Sequence, residues 1–197
     1  MESSKKKSLI LLGIILTLIV IIILISVFTK KAEYKIEIKV KDYGSIYATL
    51  YTNKAPITVE NFISLIKDKF YDNLTFHRVV ENFMIQGGDH IGTGTGGSEK
   101  TIKGEFSNNG YSNSISHTRG TLSMARTSND MNSASSQFFI MQKDVTSLDG
   151  SYAAFGKVTK GMDIVDLIAK NTKVEDENGT VLSENQPVIE YIRLTNV

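Results

Sequence analysis

The sequence predicts an all-β-dominated fold: a closed antiparallel eight-stranded barrel capped by two α-helices and preceded by a single N-terminal transmembrane helix. Three observations predict it. Residues 9–28 form an uncharged apolar run. Beyond them, apolar and polar residues alternate in seven or eight short segments bounded by turn-forming residues. Only two stretches show the three-and-four spacing of an amphipathic helix, and nothing repeats. A sheet of short antiparallel strands leaves no exposed edge when it closes on itself.

Residues 1–8 are a short basic tail with Lys5, Lys6 and Lys7. The run over 9–28 is interrupted only by Gly13, Thr17 and Ser26. At about 1.5 Å per residue it covers about 30 Å, the hydrocarbon thickness of a bilayer. A cleaved signal peptide has a shorter apolar region, about 7 to 15 residues, ending at a small-residue site that Ser26-Val27-Phe28-Thr29 fits poorly. No cysteine follows to carry a lipid. Three lysines and the terminal amine precede the run, against Lys30 and Lys31 after it. That imbalance predicts a single-pass cell-membrane protein with its amino terminus in the cytosol, a linker over 29–33, and an extracytoplasmic domain over 34–197.

Tyr34, Ile36, Ile38 and Val40 alternate with Lys35, Glu37 and Lys39, the pattern of a strand with one buried face. After Asp42-Tyr43-Gly44, Ile46, Ala48 and Leu50 read as its hairpin partner. Thr58 is placed to cap a helix in which Val59, Phe62, Ile63 and Ile66 make one apolar stripe that plugs a barrel end. Phe76 to Asp89 reads as strand, turn, strand. Residues 91–120 are rich in Gly, Ser, Thr and Asn and read as loop, with no P-loop lysine and serine and no GxGxxG opening a helix. Thr121 to Ala125, Gln137 to Met141 and Ala153 to Val158 read as further strands. Gly161-Met162-Asp163 opens a second helix, its face built from Met162, Val165 and Ile168 and broadened by Ile164 and Leu167. A polar loop over 171–186 precedes a closing strand with Val188, Tyr191 and Leu194.

Composition excludes several classes. The 22 basic and 21 acidic residues leave a net charge of +1, and no basic cluster in the domain suggests a nucleic acid partner. The absence of cysteine excludes disulfides, thiolate catalysis and cysteine-bound zinc. His77, His90 and His117 show no metal-ligand spacing, so neither metal nor cofactor is expected.

The stretch Phe76-His77-Arg78-Val79-Val80-Glu81-Asn82-Phe83-Met84-Ile85-Gln86-Gly87-Gly88-Asp89 carries the chemistry. Met84 and Gln86, two apart on one strand, share a face, and Arg78 on the preceding strand faces them. A guanidinium, a neutral amide and soft apolar groups together suit a small apolar ring beside a carbonyl. This stretch resembles the signature of the cyclophilin-type peptidyl-prolyl isomerases. Gly94-Thr95-Gly96-Gly97, Ser123-Met124-Ala125, Ser136-Gln137-Phe138-Phe139-Ile140, Leu148-Asp149-Gly150 and Phe155-Gly156-Lys157-Val158 follow in that family's order, so the resemblance covers roughly residues 34–197.

The resemblance implies the barrel fold and a reaction needing no nucleophile, base or metal. It implies a catalytic set of Arg78, Gln86 and Phe83. Met84, Ala125, Arg126, Gln137, Phe139, Leu148 and Tyr152 would bind substrate, with Phe83, Met84, Phe139 and Leu148 lining a proline pocket. Gln86 and the backbone at Arg126 would hold peptide carbonyls and amides. Partners would be proline-containing peptides and unfolded proteins, met by a monomer, and cyclosporin, whose binding is expected to be weaker here because Ser147 replaces the family's large tryptophan wall. Three departures bear on this: the family's frequent asparagine, tryptophan and histidine are here Arg126, Ser147 and Tyr152. The rival readings are an idle proline-peptide binding module and a tethered adhesin; retention of Arg78 favours the enzyme.

Overall fold

The computed structural model describes residues 13–19 and 33–195. The chain divides into two compact units, Met1–Ala32 and Glu33–Val197. In the first, residues 13–19 are helical and exposed. The rest of the span expected over 9–28 lies outside the described residues, and no helix among the described residues is long and apolar enough to cross a membrane.

Among the described residues the second unit holds eight strands and two α-helices. In chain order they are β1 (Tyr34–Val40), β2 (Gly44–Leu50), α1 (Pro56–Lys67), β3 (Thr75–Val80), β4 (Met84–Asp89), β5 (Thr121–Met124), β6 (Phe138–Met141), β7 (Ala154–Lys160), α2 (Met162–Asn171) and β8 (Ile189–Leu194). All pair antiparallel in one sheet ordered β3-β4-β6-β5-β7-β2-β1-β8. The expected closed barrel is met only in its coarser form. The outer strands meet near a single bridge, Thr75 to Val188, helped by Phe76 N donating to Pro187 O at 2.9 Å and Ile189 N to Leu74 O at 2.7 Å. The sheet is therefore curled, and no full β3–β8 ladder closes it.

Inside the curl, Ile36, Ile38, Val40, Ile46 and Leu50 are fully buried, as their alternation predicts. From α1, Phe62 enters this core and meets the rings of Tyr71, Phe138 and Phe155 at centroid distances of 4.9, 5.3 and 5.0 Å. These tilted and edge-on contacts suit aromatic quadrupoles.

The cap of α1 differs from expectation. The helix starts one turn earlier, with Pro56 in its first turn and no side-chain cap from Ala55. The orphan amides go instead to Glu105: Ile57 N and Thr58 N donate to its carboxylate at 3.1 and 2.8 Å, and Thr58 Oγ1 donates at 2.8 Å. A carboxylate fits the positive end of the helix dipole, and a buried one needs such donors. Two further expectations fail for reasons of packing. Leu167 is 46 % exposed, because α2 buries only the narrow stripe of Val165, Ile168 and Ala169. In β8 the fully buried residues are Ile189 and Ile192 rather than the expected Val188, Tyr191 and Leu194, because the β1–β8 register shifts between Lys39 and Val40.

Candidate active site

The site is built on the outer face of β3, β4 and β6, whose inner face is the core. Strict alternation from the buried Phe76 would turn Arg78 inward. The ladder prevents this, since Phe76 opposes Gly87 and Arg78 opposes Gln86, leaving His77 as an extra residue on β3. The resulting bulge resets the phase: Phe76 and Val79 stay in the core, and Arg78 emerges half-buried on the outer face beside Val80. Asn82, at φ +62° in the β3–β4 turn, brings Phe83 beneath the guanidinium, whose carbon lies 5.9 Å from the ring centroid.

Register places the remaining groups. Gln86 pairs with Phe139 and Met84 with Met141, so alternate residues of β4 and β6 face outward together. Met84, Phe139 and Met141 form a second apolar cluster outside the main core, joined by Phe83, Ala125, Leu148 and Tyr152. Tyr152 stands edge-on to Phe139, with centroids 5.9 Å apart.

Arg78, Phe83, Met84 and Gln86 line one cavity of about 310 Å3 together with Ala125 and Arg126. Its far wall is Phe139, Leu148 and Tyr152. Gln137, also predicted, stands off this cavity and lines an adjoining hollow of about 610 Å3. Ser147 is exposed and lines neither. A hollow of about 850 Å3 between α1 and residues 97–103 is larger, but none of the predicted side chains borders it.

Polar contacts fix the arginine. Its NH1 donates to Gln86 Oε1 at 3.3 Å, Gln86 Nε2 donates to Gln137 Oε1 at 2.9 Å, and Gln137 Nε2 donates to the carbonyls of Gly94 and Gly96 at 3.0 and 2.6 Å. The loop bearing those carbonyls is anchored by buried Asp89, which accepts from the amides of Ile91, Thr93 and Gly94. Burial raises the Asp89 pKa, but the amide donors outweigh it and leave the carboxyl below its usual value. On the other side, Arg78 Nε donates to Asn178 O at 2.7 Å, and Val79 N donates to Gly179 O at 2.8 Å. Asp176 shapes this strap by accepting from Thr180 N and Oγ1 at 3.0 and 2.9 Å.

Neither this strap, a polar loop by its composition, nor the role of Asp89 is among the sequence expectations. A signal for the latter existed: an acidic residue ending a strand just before a glycine-rich loop is placed to collect the loop's amides. His77, for which the sequence shows only the lack of metal-ligand spacing, borders the cavity. Its ring nitrogens are buried, and burial lowers its pKa against the opposing pull of Asp89 and Gln137.

The sequence offers no hydrolytic triad, but the fold assembles a serine, histidine and aspartate. His117 Nδ1 lies 2.8 Å from Asp149 Oδ1 and Nε2 lies 3.0 Å from Ser123 Oγ. Ser123 is fully buried on the strand paired to Phe139, so no substrate carbonyl reaches its hydroxyl. Burial lowers the His117 pKa, opposed by Asp149. Its ring stacks near Phe139 at 6.1 Å, so the trio supports the pocket floor.

The arrangement can seat a small apolar ring against Met84 and Phe139 and hold a cation over the adjacent bond. Comparison with known proteins agrees. The profile of the family "Cyclophilin type peptidyl-prolyl cis-trans isomerase/CLD" matches residues 35–196. A peptidyl-prolyl cis-trans isomerase of Acinetobacter baylyi is 50 % identical over 143 residues, covering 70 % of this chain and 73 % of its own. Peptidyl-prolyl cis-trans isomerase B of Bacillus subtilis is 43 % identical over 145 residues, covering 74 % and 92 %. Among solved structures, a Cryptosporidium parvum cyclophilin-type isomerase superposes with a TM-score of 0.74 at 27 % identity, over 84 % of this chain and 99 % of that one. The same protein in the presence of the dipeptide Ala-Pro gives a TM-score of 0.73 at 29 % identity, over 83 % and 99 %. With the profile spanning nearly the whole second unit, the chain belongs to the cyclophilin-type peptidyl-prolyl cis-trans isomerases.

Proposed function

We propose that this chain accelerates X-Pro isomerisation during the folding of exported or surface proteins, tethered to a membrane by residues 9–28 with its domain on the extracytoplasmic side. An amide owes its barrier of about 18 to 20 kcal/mol to resonance, and twisting the C–N bond localises a lone pair on the prolyl nitrogen. A cation donating to that nitrogen stabilises the twisted state above either planar one, which is the condition for catalysis. Arg78 supplies it. The observation that carries this reading is the way Arg78 is held: Nε by a carbonyl and NH1 by an amide oxygen, with no carboxylate paired to it among the described residues. Burial lowers its pKa, yet a guanidinium remains charged at any working pH. Met84, Phe139 and Leu148 seat the proline ring, Phe83 supports the guanidinium, and Gln86 passes its orientation to the loop through Gln137.

The test is Arg78→Ala and Arg78→Lys in the full-length chain, with isomerisation read by exchange NMR and folding by thermal unfolding. Both variants should fold and lose about a hundredfold in kcat/KM, near the scale of removing one transition-state donor. Lysine should fail because a flexible ammonium cannot reproduce the planar fork. Turnover near that of the unsubstituted chain in Arg78→Ala overturns the assignment. The tether rests on the uncharged apolar run and the lysines around it. External protease on intact cells should digest the domain, and protection until the membrane is opened overturns the topology.

A further inference from the structure

The pocket has a second cation that the reaction does not use. Arg126 stands where the two hollows meet and lines both. Its guanidinium carbon lies 4.9 Å from the Tyr152 ring centroid and 5.4 Å from that of Phe106, so the plane is braced by aromatic rings. Its hydrogen bonds go to neutral carbonyls: Nε donates to Ser151 O at 2.9 Å, and NH1 to Thr127 O at 2.8 Å and Ser128 O at 3.4 Å. No carboxylate pairs with it among the described residues.

The acids close in sequence to its contacts bond elsewhere. Asp149 accepts from Ser116 and His117, Glu105 from the start of α1, and Asp130 from Asn132 N at 2.8 Å. Among the described residues the adjoining hollow has no other charge. Apart from Arg126 its walls are glycine, alanine, hydroxyls such as Thr95, Ser133 and Ser135, and the amides of Gln86 and Gln137. The proline pocket likewise has two arginines and no carboxylate among the described residues. A peptide crossing from one hollow to the other passes a braced, uncompensated cation in a setting of neutral hydrogen-bonding groups. Carboxylates match that field, and ammonium groups oppose it.

We propose that Arg126 is a specificity-determining residue that makes this enzyme prefer proline peptides with an acidic side chain flanking the proline, received in the adjoining hollow. The proposal rests on the isomerase reading of the same site. It concerns discrimination between substrates, so the informative quantity is a ratio measured on one enzyme, in which any loss of folded protein cancels.

The probes are short proline peptides carrying Glu, Gln or Lys at each of the two positions before and after proline, one substitution at a time. The full-length chain in detergent isomerises each, followed by exchange NMR. At one flanking position kcat/KM should rank Glu above Gln above Lys, with Glu over Lys about fivefold, the scale of a partly exposed ion pair. The ratio should shrink toward one in 0.5 M salt, which screens a charge effect and leaves shape untouched. Arg126→Asn should flatten the ranking, Arg126→Lys should keep its direction, and Arg126→Glu should invert it. Equal rates for Glu and Lys at every position in the unsubstituted enzyme overturn the inference while leaving the isomerase reading intact, and a ranking that survives Arg126→Glu does the same. No turnover of any peptide overturns the isomerase reading itself.

Discussion

The two faces of β4 and β6 are made from neighbouring residues yet serve different ends. Ile85, Phe138 and Ile140 point into the main core, while Met84, Phe139 and Met141 point out into a separate cluster under the pocket. Phe138 is enclosed, with the rings of Phe62, Tyr71 and Phe76 around it at 5.3, 5.6 and 6.3 Å. Phe139 is almost as buried but has the cavity on one side and rings of Tyr152 and His117 on the other. The period of two lets a single strand separate stability from recognition without spending extra chain. What differs is enclosure: Phe138 is packed by core rings around it, and Phe139 has an open cavity beside it.

That contrast breaks most directly at the aromatic pair. Phe138→Ala should cost about 3 to 5 kcal/mol of stability with kcat/KM per folded molecule little changed, whereas Phe139→Ala should cost about half as much and raise KM roughly tenfold. Urea unfolding alongside steady-state kinetics separates the two, and equal losses of stability would erase the distinction between the faces.

A smaller effect is expected where the strap meets the outer face. Gly179 has φ +82°, and a Cβ there would sit well inside contact distance of the Val79 carbonyl oxygen. Gly179→Ala should therefore displace the strap at a cost of about 2 kcal/mol, releasing Arg78 Nε from Asn178. Because the apolar pocket stays, kcat should fall more than KM rises. An unchanged kcat would show that Gln86 alone positions the guanidinium.

The mildest test is pH. Burial depresses the pKa of both His77 and His117 in the fold, so both are held neutral there and take up protons more readily when unfolded. The stability this gives is present above the unfolded value of about 6.5 and is lost as pH falls through the folded values. Thermal unfolding from pH 7.5 to 5 should show declining stability, with part of the slope removed by His117→Gln. A flat profile would mean that neither ring is as desolvated as its surroundings imply.

Much of this was legible in the sequence. Alternation in β1 and β2 assigned their inner faces, the stripe of Val59, Phe62, Ile63 and Ile66 gave α1 its buried side, and one motif brought Arg78, Met84 and Gln86 together, because each depends on neighbours within a few residues. Three features were decided only by tertiary structure. The bulge at His77 reverses the face on which Arg78 would otherwise lie, and it exists only through pairing with β4. Glu105 caps α1 from 47 residues away from Thr58, and Asn178 holds Arg78 across 100 residues. Arg126 gains its rings, and its hydrogen bonds to carbonyls in place of any carboxylate among the described residues, from loops that converge on it. A hydrogen bond between distant segments depends on where the whole chain puts two groups, and no local periodicity records that.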